Sequence, residues 1–144
     1  MPESTAIPKH PLLAILAIVL AASAFAGCSL KSYAINMVGD ALAEGDSVYE
    51  SDEDVELVGD ALPFGLKLTE TLLNESPGHR GLLLTACRGF VLYSYAYVAY
   101  PAEVAMEVDI DRGRAMRTRA HRLYQRALGY CLLGLERDHQ GFSS

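Results

Sequence analysis

Cys28 is the residue whose neighbours most clearly define a chemical modification, because it directly follows the tripeptide Phe25-Ala26-Gly27. An apolar residue and two small residues before a cysteine form the pattern of a bacterial lipid-attachment site, since small side chains let the processing peptidase approach the backbone. The thiol accepts a diacylglyceryl group, and the amine freed by cleavage can accept a further chain such as palmitate. Each buried CH₂ contributes about 0.8 kcal/mol to membrane binding. We therefore predict that Cys28 anchors the protein to a membrane.

The segment before Cys28 has the composition of a cleavable leader. Lys9 and His10 precede an apolar run over residues 11–26 that no charged residue interrupts. This run is shorter than the roughly 20 residues that cross a bilayer, but it suits the apolar part of a signal peptide. We predict a signal peptide over residues 1–27, a lipidated N-terminus with a first helix over residues 28–48, and a helical domain over residues 49–144.

The residue after the anchor and the two remaining cysteines bear on the cellular location. Ser29, rather than an aspartate, follows Cys28, and in bacteria with two membranes this is typical of lipoproteins that leave the inner membrane. We expect a cell-envelope protein that faces the periplasm, on the outer membrane where the organism has one. In that oxidising compartment Cys87 and Cys131 could pair. Because free cysteines often fill small buried positions, we expect two buried helix thiols instead.

Four aromatic residues, spaced by three and four positions, form the best candidate for a binding surface: Phe90, Tyr93, Tyr97 and Tyr100. At that spacing they share one face of a helix. Tyrosine combines a large apolar ring with a polar hydroxyl, which suits a protein interface or a ligand groove. The alternative is that the rings belong to the core of the domain and that only the hydroxyls reach solvent.

The remaining polar residues show no pattern typical of catalysis or metal binding. No His and Cys have the spacing of a zinc site, and no glycine-rich loop has the spacing that binds phosphate. His79 and His139 lie beside predicted helices, where a helix-end hydrogen bond explains them. The formal charge of −6 argues against a general nucleic-acid binder, which needs a basic surface. We expect no enzyme activity, no metal, no cofactor and no nucleic-acid partner.

Apolar residues recur every three to four positions after Cys28, which predicts helices. Pro63 is expected to kink or divide the second helix, and Pro101 is expected to end the third. Ser51 and Asp54 approximate a capping box at the start of the second helix. The predicted helices span residues 30–44, 53–75, 79–100 and 112–136.

The last predicted helix carries a run of six arginines, and we expect this run to be a solvated helix face. One alternative is a surface for an acidic partner. Another is contact with residues 40–60, a segment with nine acids and no Lys or Arg. The six residues are Arg112, Arg114, Arg117, Arg119, Arg122 and Arg126.

Two short segments repeat one another at the ends of predicted helices. Residues 76–82 and 136–142 both carry a histidine, any residue, a glycine and an apolar residue. Between them, Ala120, Tyr124 and Ala127 have the spacing found in the second helix of a tetratricopeptide repeat, where small residues let two helices approach and an aromatic fills the gap. The pattern predicts an all-α fold of tetratricopeptide-like helical repeats.

Taken together, these segments resemble the lipoproteins that form the T-component of TRAP transporters, the TatT family. The resemblance covers almost all of residues 28–142. It rests on Cys28-Ser29-Leu30-Lys31, on Ala61-Leu62-Pro63-Phe64-Gly65-Leu66-Lys67, on residues 72–84, and on Leu123-Tyr124-Gln125-Arg126-Ala127, Gly134-Leu135-Glu136 and His139-Gln140-Gly141-Phe142.

This resemblance implies a tetratricopeptide-like α-solenoid in the periplasm that binds the solute-binding protein of a TRAP-type uptake system. It also implies homo-oligomers with an apolar pore or cavity for an apolar ligand. Because the family domain usually continues with further helix pairs, we expect residues 49–144 to be an incomplete solenoid with an uncovered apolar end face. The expected function is that of a membrane-tethered transport accessory lipoprotein. The alternative is a generic helical-repeat scaffold for envelope assembly.

Overall fold

The computed structural model describes residues 30–44, 49, 51–139 and 141–142. Of these, residues 30–34 belong to one compact unit and the others to a second. Residues 30–34 are helical, and the contacts described below are those of the second unit.

All regular secondary structure in the described residues is helical, with no strand among them, which confirms the all-α prediction. The bounds agree closely with the predicted helices except near Pro101. The elements are α1 (residues 30–44), α2 (Val55–Glu75), α3 (Arg80–Ser94), a π-helical turn (Tyr95–Ala99), α4 (Tyr100–Val108) and α5 (Ile110–Asp138).

Helix α2 begins with a carboxylate cap. Asp54 Oδ1 accepts the N–H of Leu57 at 3.0 Å, and the Asp54 N–H donates to Asp52 Oδ1 at 2.9 Å. The predicted cap at Ser51 is therefore wrong, because Asp54 satisfies the free backbone donor of the first turn and places a negative charge at the positive end of the helix.

Pro63 lies inside α2 without dividing it, although division was one of the two expected effects. Proline removes one backbone hydrogen bond from a helix interior. The loss is offset here by burial on both sides of the proline, since Leu62 and Leu66 are each 5% exposed. The helix consequently continues to Glu75.

Helix α3, the π-helical turn and α4 form one continuous helix from Arg80 to Val108, so the predicted helix end at Pro101 is wrong. In an α-helix Pro101 could not donate its hydrogen bond, and its ring would crowd the carbonyl four residues earlier. The backbone avoids this with the wide turn over Tyr95–Ala99, in which the Tyr100 N–H donates to the Tyr95 carbonyl, five residues back. Pro101 then lies at the start of α4, directly after the wide turn that accommodates it.

The wide turn also changes which residues of the long helix face the core. A regular helix of 3.6 residues per turn would keep Tyr97 and Tyr100 near the face of Phe90. Instead the buried positions after Ala86 recur every fourth residue, and Tyr100 is 63% exposed. The buried residues are Phe90, Ser94, Val98 and Ala102.

The core of this unit lies where α2 and α5 pack against α3. Small residues permit the close approach of α3 and α5, because Ala86 is fully buried and Ala127 is 1% exposed. The leucines Leu66 and Leu73 of α2 and Leu83 of α3 fill the space around them. The spacing of apolar residues in α2, α3 and α5 therefore predicted most of this packing correctly.

Helix α1 packs through Gly39 and Leu42 rather than through its larger apolar residues. Met37 and Val38 are exposed, whereas Gly39 is buried and Leu42 packs against the core. A Cβ at Gly39 would lie 3.0 Å from His79 Nε2 and 3.1 Å from Leu82 Cδ1. The absence of a side chain thus lets α1 approach the start of α3, which a search for apolar residues does not detect.

A buried carboxylate joins α2 to α5. Glu70 is 8% exposed and accepts the hydroxyl hydrogen of Tyr130 at 2.8 Å. It also pairs with Arg126 Nε at 2.5 Å and with Lys67 Nζ at 2.9 Å. A buried carboxylate is tolerated only when donors replace its lost hydration, and three donors do so here.

A disulfide between Cys87 and Cys131 links α3 to α5, with 4.9 Å between the two Cα atoms. The expectation of two buried free thiols is therefore wrong. Both residues are half-buried, and Ala86 and Ala127, one helical turn or less away, bring the two backbones within bonding distance. The bond closes a loop of 44 residues.

We predict that Ala127→Glu will lower the free energy of unfolding by about 2–4 kcal/mol, because it places a charge without a partner where α3 and α5 touch. Gln125→Glu is the matched control, since it adds the same charge at an exposed position two residues earlier in the same helix. Urea unfolding followed by circular dichroism measures both. Equal midpoints for the two variants would contradict the close contact at Ala127.

Candidate functional site

Two of the predicted site residues, Tyr93 and Tyr97, stack against each other beside the first half of α2. Their ring centroids are 5.7 Å apart and their planes differ by 25°. The Tyr97 hydroxyl donates to the Val55 carbonyl at 2.9 Å. Gly59 makes this approach possible, because a Cβ there would lie 2.5 Å from the Tyr97 ring.

These rings line an open cleft of about 450 Å³, whose opposite side is the first two turns of α2. Glu56 and Asp60 lie one turn apart on that helix, both exposed. We call this space the tyrosine cleft, defined by Val55, Glu56, Gly59, Asp60, Tyr93 and Tyr97. It combines aromatic faces with a negatively charged rim, a combination that suits contact with a polar or cationic group of another protein.

The other two predicted site residues lie elsewhere. Phe90 is 3% exposed and belongs to the core. Tyr100 is exposed beside Val104, in a separate shallow cleft between α4 and α5. The structure therefore brings Tyr93 and Tyr97 together beside α2. Tyr93 also packs against the core that contains Phe90, whereas Tyr100 follows the wide turn and lies apart from both.

Arginines of α5 contact the surroundings of the tyrosine cleft. Arg119 lies over the Tyr93 ring, 5.7 Å from its centroid, and its Nη2 donates to the Tyr93 hydroxyl at 3.2 Å. A cation over an aromatic ring stabilises both groups modestly when they are exposed. Tyr93 is thus held in place from the side of α5, while Tyr97 is held from the side of α2.

Two further arginines of the basic run pair with acids that lie outside residues 40–60. Arg117 Nε donates to Glu103 Oε1 at 2.9 Å, and Arg126 pairs with Glu70. The hydrogen bond from Arg117 lowers the pKa of the Glu103 carboxyl below its ordinary value. The run is therefore partly a structural surface that joins α5 to α2 and α4, rather than wholly a solvated face.

A second candidate site, which we call the apolar cavity, lies between α3 and the last turns of α5. Its volume is about 270 Å³ and its surface is mainly apolar. At the ends of the two helices, Arg80 and Asp138 form an ion pair of 3.0 Å. The other lining residues are Leu83, Leu84, Cys87, Tyr130, Cys131, Gly134 and Leu135. An apolar space with a few polar groups at one side is typical of small-molecule sites.

Sequence reasoning missed the apolar cavity, although it had noted some of its residues. Gly134 leaves the space open, since the nearest atom to a Cβ at that position would be Leu83 Cβ at 3.8 Å. The cavity also needs the Cys87–Cys131 bond in its wall, which the expectation of free thiols excluded. The sequence offered only a glycine and two cysteines on predicted helices, a pattern too general to identify a cavity.

Tyr130 connects this cavity with the buried carboxylate. Its ring stacks on Phe90 with 5.9 Å between centroids, and its hydroxyl donates to Glu70. Burial raises the pKa of the Tyr130 hydroxyl above its ordinary value, and the neighbouring Glu70 carboxylate raises it further. The hydroxyl therefore remains a hydrogen-bond donor and orients the ring along the cavity wall.

His79 and His139 both lie at helix ends. His79 Nδ1 accepts the Leu82 N–H at 3.2 Å, and His79 Nε2 lies 3.3 Å from Asp40 Oδ1. His139 follows the last residue of α5 and its N–H donates to the Leu135 carbonyl. The predicted helix-end role is confirmed for the His79 side chain, whereas the bond at His139 is made by its backbone. Within the part of the chain that the structure describes, no three His, Cys, Asp or Glu side chains could hold a metal ion.

One described helix is long and apolar enough to cross a membrane on length and composition alone. It runs from Arg80 to Val108, with a mean hydropathy of 1.3 in its most apolar window. The core helix of a folded domain passes the same test, so the property is weak evidence. The predicted anchor Cys28, the following Ser29 and the predicted signal peptide over residues 1–27 lie outside the described residues.

Comparison with known proteins shows what this chain is similar to. A protein of Treponema pallidum (strain Nichols), known as an uncharacterized protein, is 33% identical over 150 aligned positions that cover 94% of this chain and 46% of that protein. The chain therefore spans about half the length of this relative. No solved structure matches the chain. A family model described as TRAP transporter T-component (TAtT) matches residues 51–144.

The matched residues make up well over half of the chain and include α2 to α5, both candidate sites and the disulfide. This agrees with the resemblance seen in the sequence. The family is one of transport accessory components and not of enzymes. The chain belongs to the TRAP transporter T-component family, TatT.

Proposed function

We propose that this protein is a periplasmic lipoprotein that tethers the solute-binding protein of a TRAP-type uptake system to a membrane. The observation that carries the proposal is the family match over residues 51–144. A transport accessory acts by binding, and the described surface offers the tyrosine cleft and the apolar cavity as places to bind.

The proposed anchor is Cys28, after a signal peptide over residues 1–27. The apolar run and the tripeptide before Cys28 support it. The proposed compartment is the periplasm, with the outer membrane favoured by Ser29. The Cys87–Cys131 disulfide supports a compartment outside the cytoplasm, because disulfides persist under oxidising conditions.

The proposed docking surface for the solute-binding protein is the tyrosine cleft. Tyrosine side chains are enriched where proteins bind one another, because a rigid ring buries a large area at small entropic cost. Tyr93 and Tyr97 are each fixed by a hydrogen bond, so little ordering remains to be done on binding. The exposed carboxylates Glu56 and Asp60 favour a partner surface that carries arginine or lysine.

The proposed ligand site is the apolar cavity, and the ligand class is a small apolar molecule. The cavity is near the lower end of the usual size range for ligand pockets. We also propose that the helices form part of a tetratricopeptide-like solenoid and that copies associate through exposed leucines. Leu84 of α3 and Leu128 of α5 are 47% and 55% exposed, more than a finished core would leave.

Cys28→Ala is expected to abolish labelling of the protein by an alkyne-tagged palmitate in growing cells, because no thiol would remain to start lipid transfer. Ser29→Ala is the matched control and should keep the label. Gel fluorescence after attachment of a dye to the alkyne measures both. A Cys28→Ala protein that is still labelled would show that the anchor is elsewhere.

Tyr93→Ala is expected to weaken binding to the solute-binding protein at least about 10-fold, the size of effect typical of a central interface aromatic. Tyr95→Ala is the control, since Tyr95 is 63% exposed on the same helix but outside the tyrosine cleft. Biolayer interferometry with the purified partner measures the dissociation constants.

Because Tyr93→Ala could also disturb packing, Asp60→Arg provides a second test at an exposed rim position. It should weaken binding while the melting temperature stays within about 2 °C of wild type, as for ordinary surface substitutions. Unchanged binding by both variants would remove the tyrosine cleft from the proposal.

Gly134→Leu is expected to lower the affinity for a fluorescent apolar probe at least about 10-fold, because a leucine side chain would occupy the apolar cavity. Gly129→Leu is the matched control. It makes the same change in the same helix, at a position where a Cβ meets no atom within 4 Å. Equal probe binding by the two variants would mean that the probe binds outside the apolar cavity.

A further inference from the structure

The last third of α5 is held to the rest of the unit by few contacts. The buried residues of this helix are Gly113, Ala120 and Ala127, and none follows Ala127 in the helix. Beyond it, Tyr130, Cys131, Gly134 and Glu136 are only half-buried, and the Arg137 side chain lies beside Gly78. The Arg80–Asp138 ion pair is largely exposed and so contributes little.

The Cys87–Cys131 bond is the one covalent link in this region of the described chain. It joins the weakly packed segment to α3, just after the last buried residue of α5. Neither cysteine is buried. Cys87 lines the apolar cavity on one side and a second open cleft, shared with Leu62 and Leu92, on the other. The bond can therefore be approached from solvent without unfolding the core.

We propose that the Cys87–Cys131 disulfide is a reducible latch, which holds residues 131–138 against α3 and releases them on reaction with a dithiol. The core need not open for this release, because the contacts among α2, α3 and the earlier part of α5 include no sulfur. The latch is thus a modification site whose co-reactant is a small or protein-borne dithiol.

The reaction is a two-step thiol–disulfide exchange. A thiolate of the dithiol attacks the Cys87 sulfur, which is the one exposed to both clefts, and the Cys131 sulfur leaves as a thiolate and takes a proton. The second thiol of the reagent then displaces Cys87 and closes its own disulfide. Two electrons pass from the dithiol to the protein, which gains two thiols, and the reagent is oxidised.

Release has a consequence for the apolar cavity, and this part rests on the proposed function. Cys131, Gly134, Leu135 and Asp138 form one wall, so their movement away from α3 would open the cavity and weaken ligand binding. Release itself is measured by backbone exchange and does not depend on any ligand.

The test is hydrogen–deuterium exchange of the protein before and after treatment with dithiothreitol at neutral pH. We expect amides of residues 131–138 to exchange at least about 10-fold faster after reduction, while those of α2 and of residues 113–127 keep their rates. Exchange that is unchanged at 131–138, or that rises throughout the chain, would overturn the latch, since the bond would then be either redundant or essential to the whole fold.

The Cys87→Ala/Cys131→Ala double variant should show the same local increase without any reductant, and dithiothreitol should not change it further. The rate of thiol release is a second readout. Accessible sulfurs predict that wild type is reduced at nearly the same rate with and without non-denaturing urea. A rate that rises with urea in proportion to unfolding would overturn the proposal. Local release without loss of probe binding would count against the role of the cavity alone and would leave the latch in place.

Discussion

The other helices of the second unit pack around one continuous helix. That helix is unbroken only because of how its backbone accommodates Pro101. A proline in an α-helix interior removes a donor and crowds a carbonyl. The five-residue turn over Tyr95–Ala99 moves the hydrogen bond one residue further back, so that a single rod of 29 residues from Arg80 to Val108 can contact both α2 and α5. π-helical turns of this kind often lie at functional sites, and here the turn contains Tyr97.

The same turn decides which aromatic residues can bind a partner. It places Val98 and Ala102 in the core, where they are fully buried, and leaves Tyr93 and Tyr97 at the edge beside α2. Close approach then depends on glycine: Gly59 admits the Tyr97 ring and Gly39 admits His79. A binding surface of fixed tyrosines is therefore a by-product of the way the long helix is built.

The sequence was sufficient to predict the helices and most of the core, because apolar periodicity reports which residues face inward over regular segments such as α2 and α5. It failed where the period changes. A regular period grouped Phe90 with Tyr100, which the wide turn separates. The expectation that proline ends a helix also gave a wrong helix end at Pro101. The pairing of Cys87 with Cys131 and the space at Gly134 depend on tertiary distances, which no local pattern contains.

The small size of the core explains why a covalent bond lies where it does. The buried residues of α5 are all alanine or glycine. They allow close contact between helices but remove little apolar area from water. Glu70 of α2 compensates for this small area by binding Arg126 and Tyr130 of α5. The Arg80–Asp138 ion pair near the end of α5 is largely exposed, and the disulfide lies between it and Tyr130. A link that replaces packing in this way stabilises one segment rather than the whole fold, and its reduction leaves the core packed.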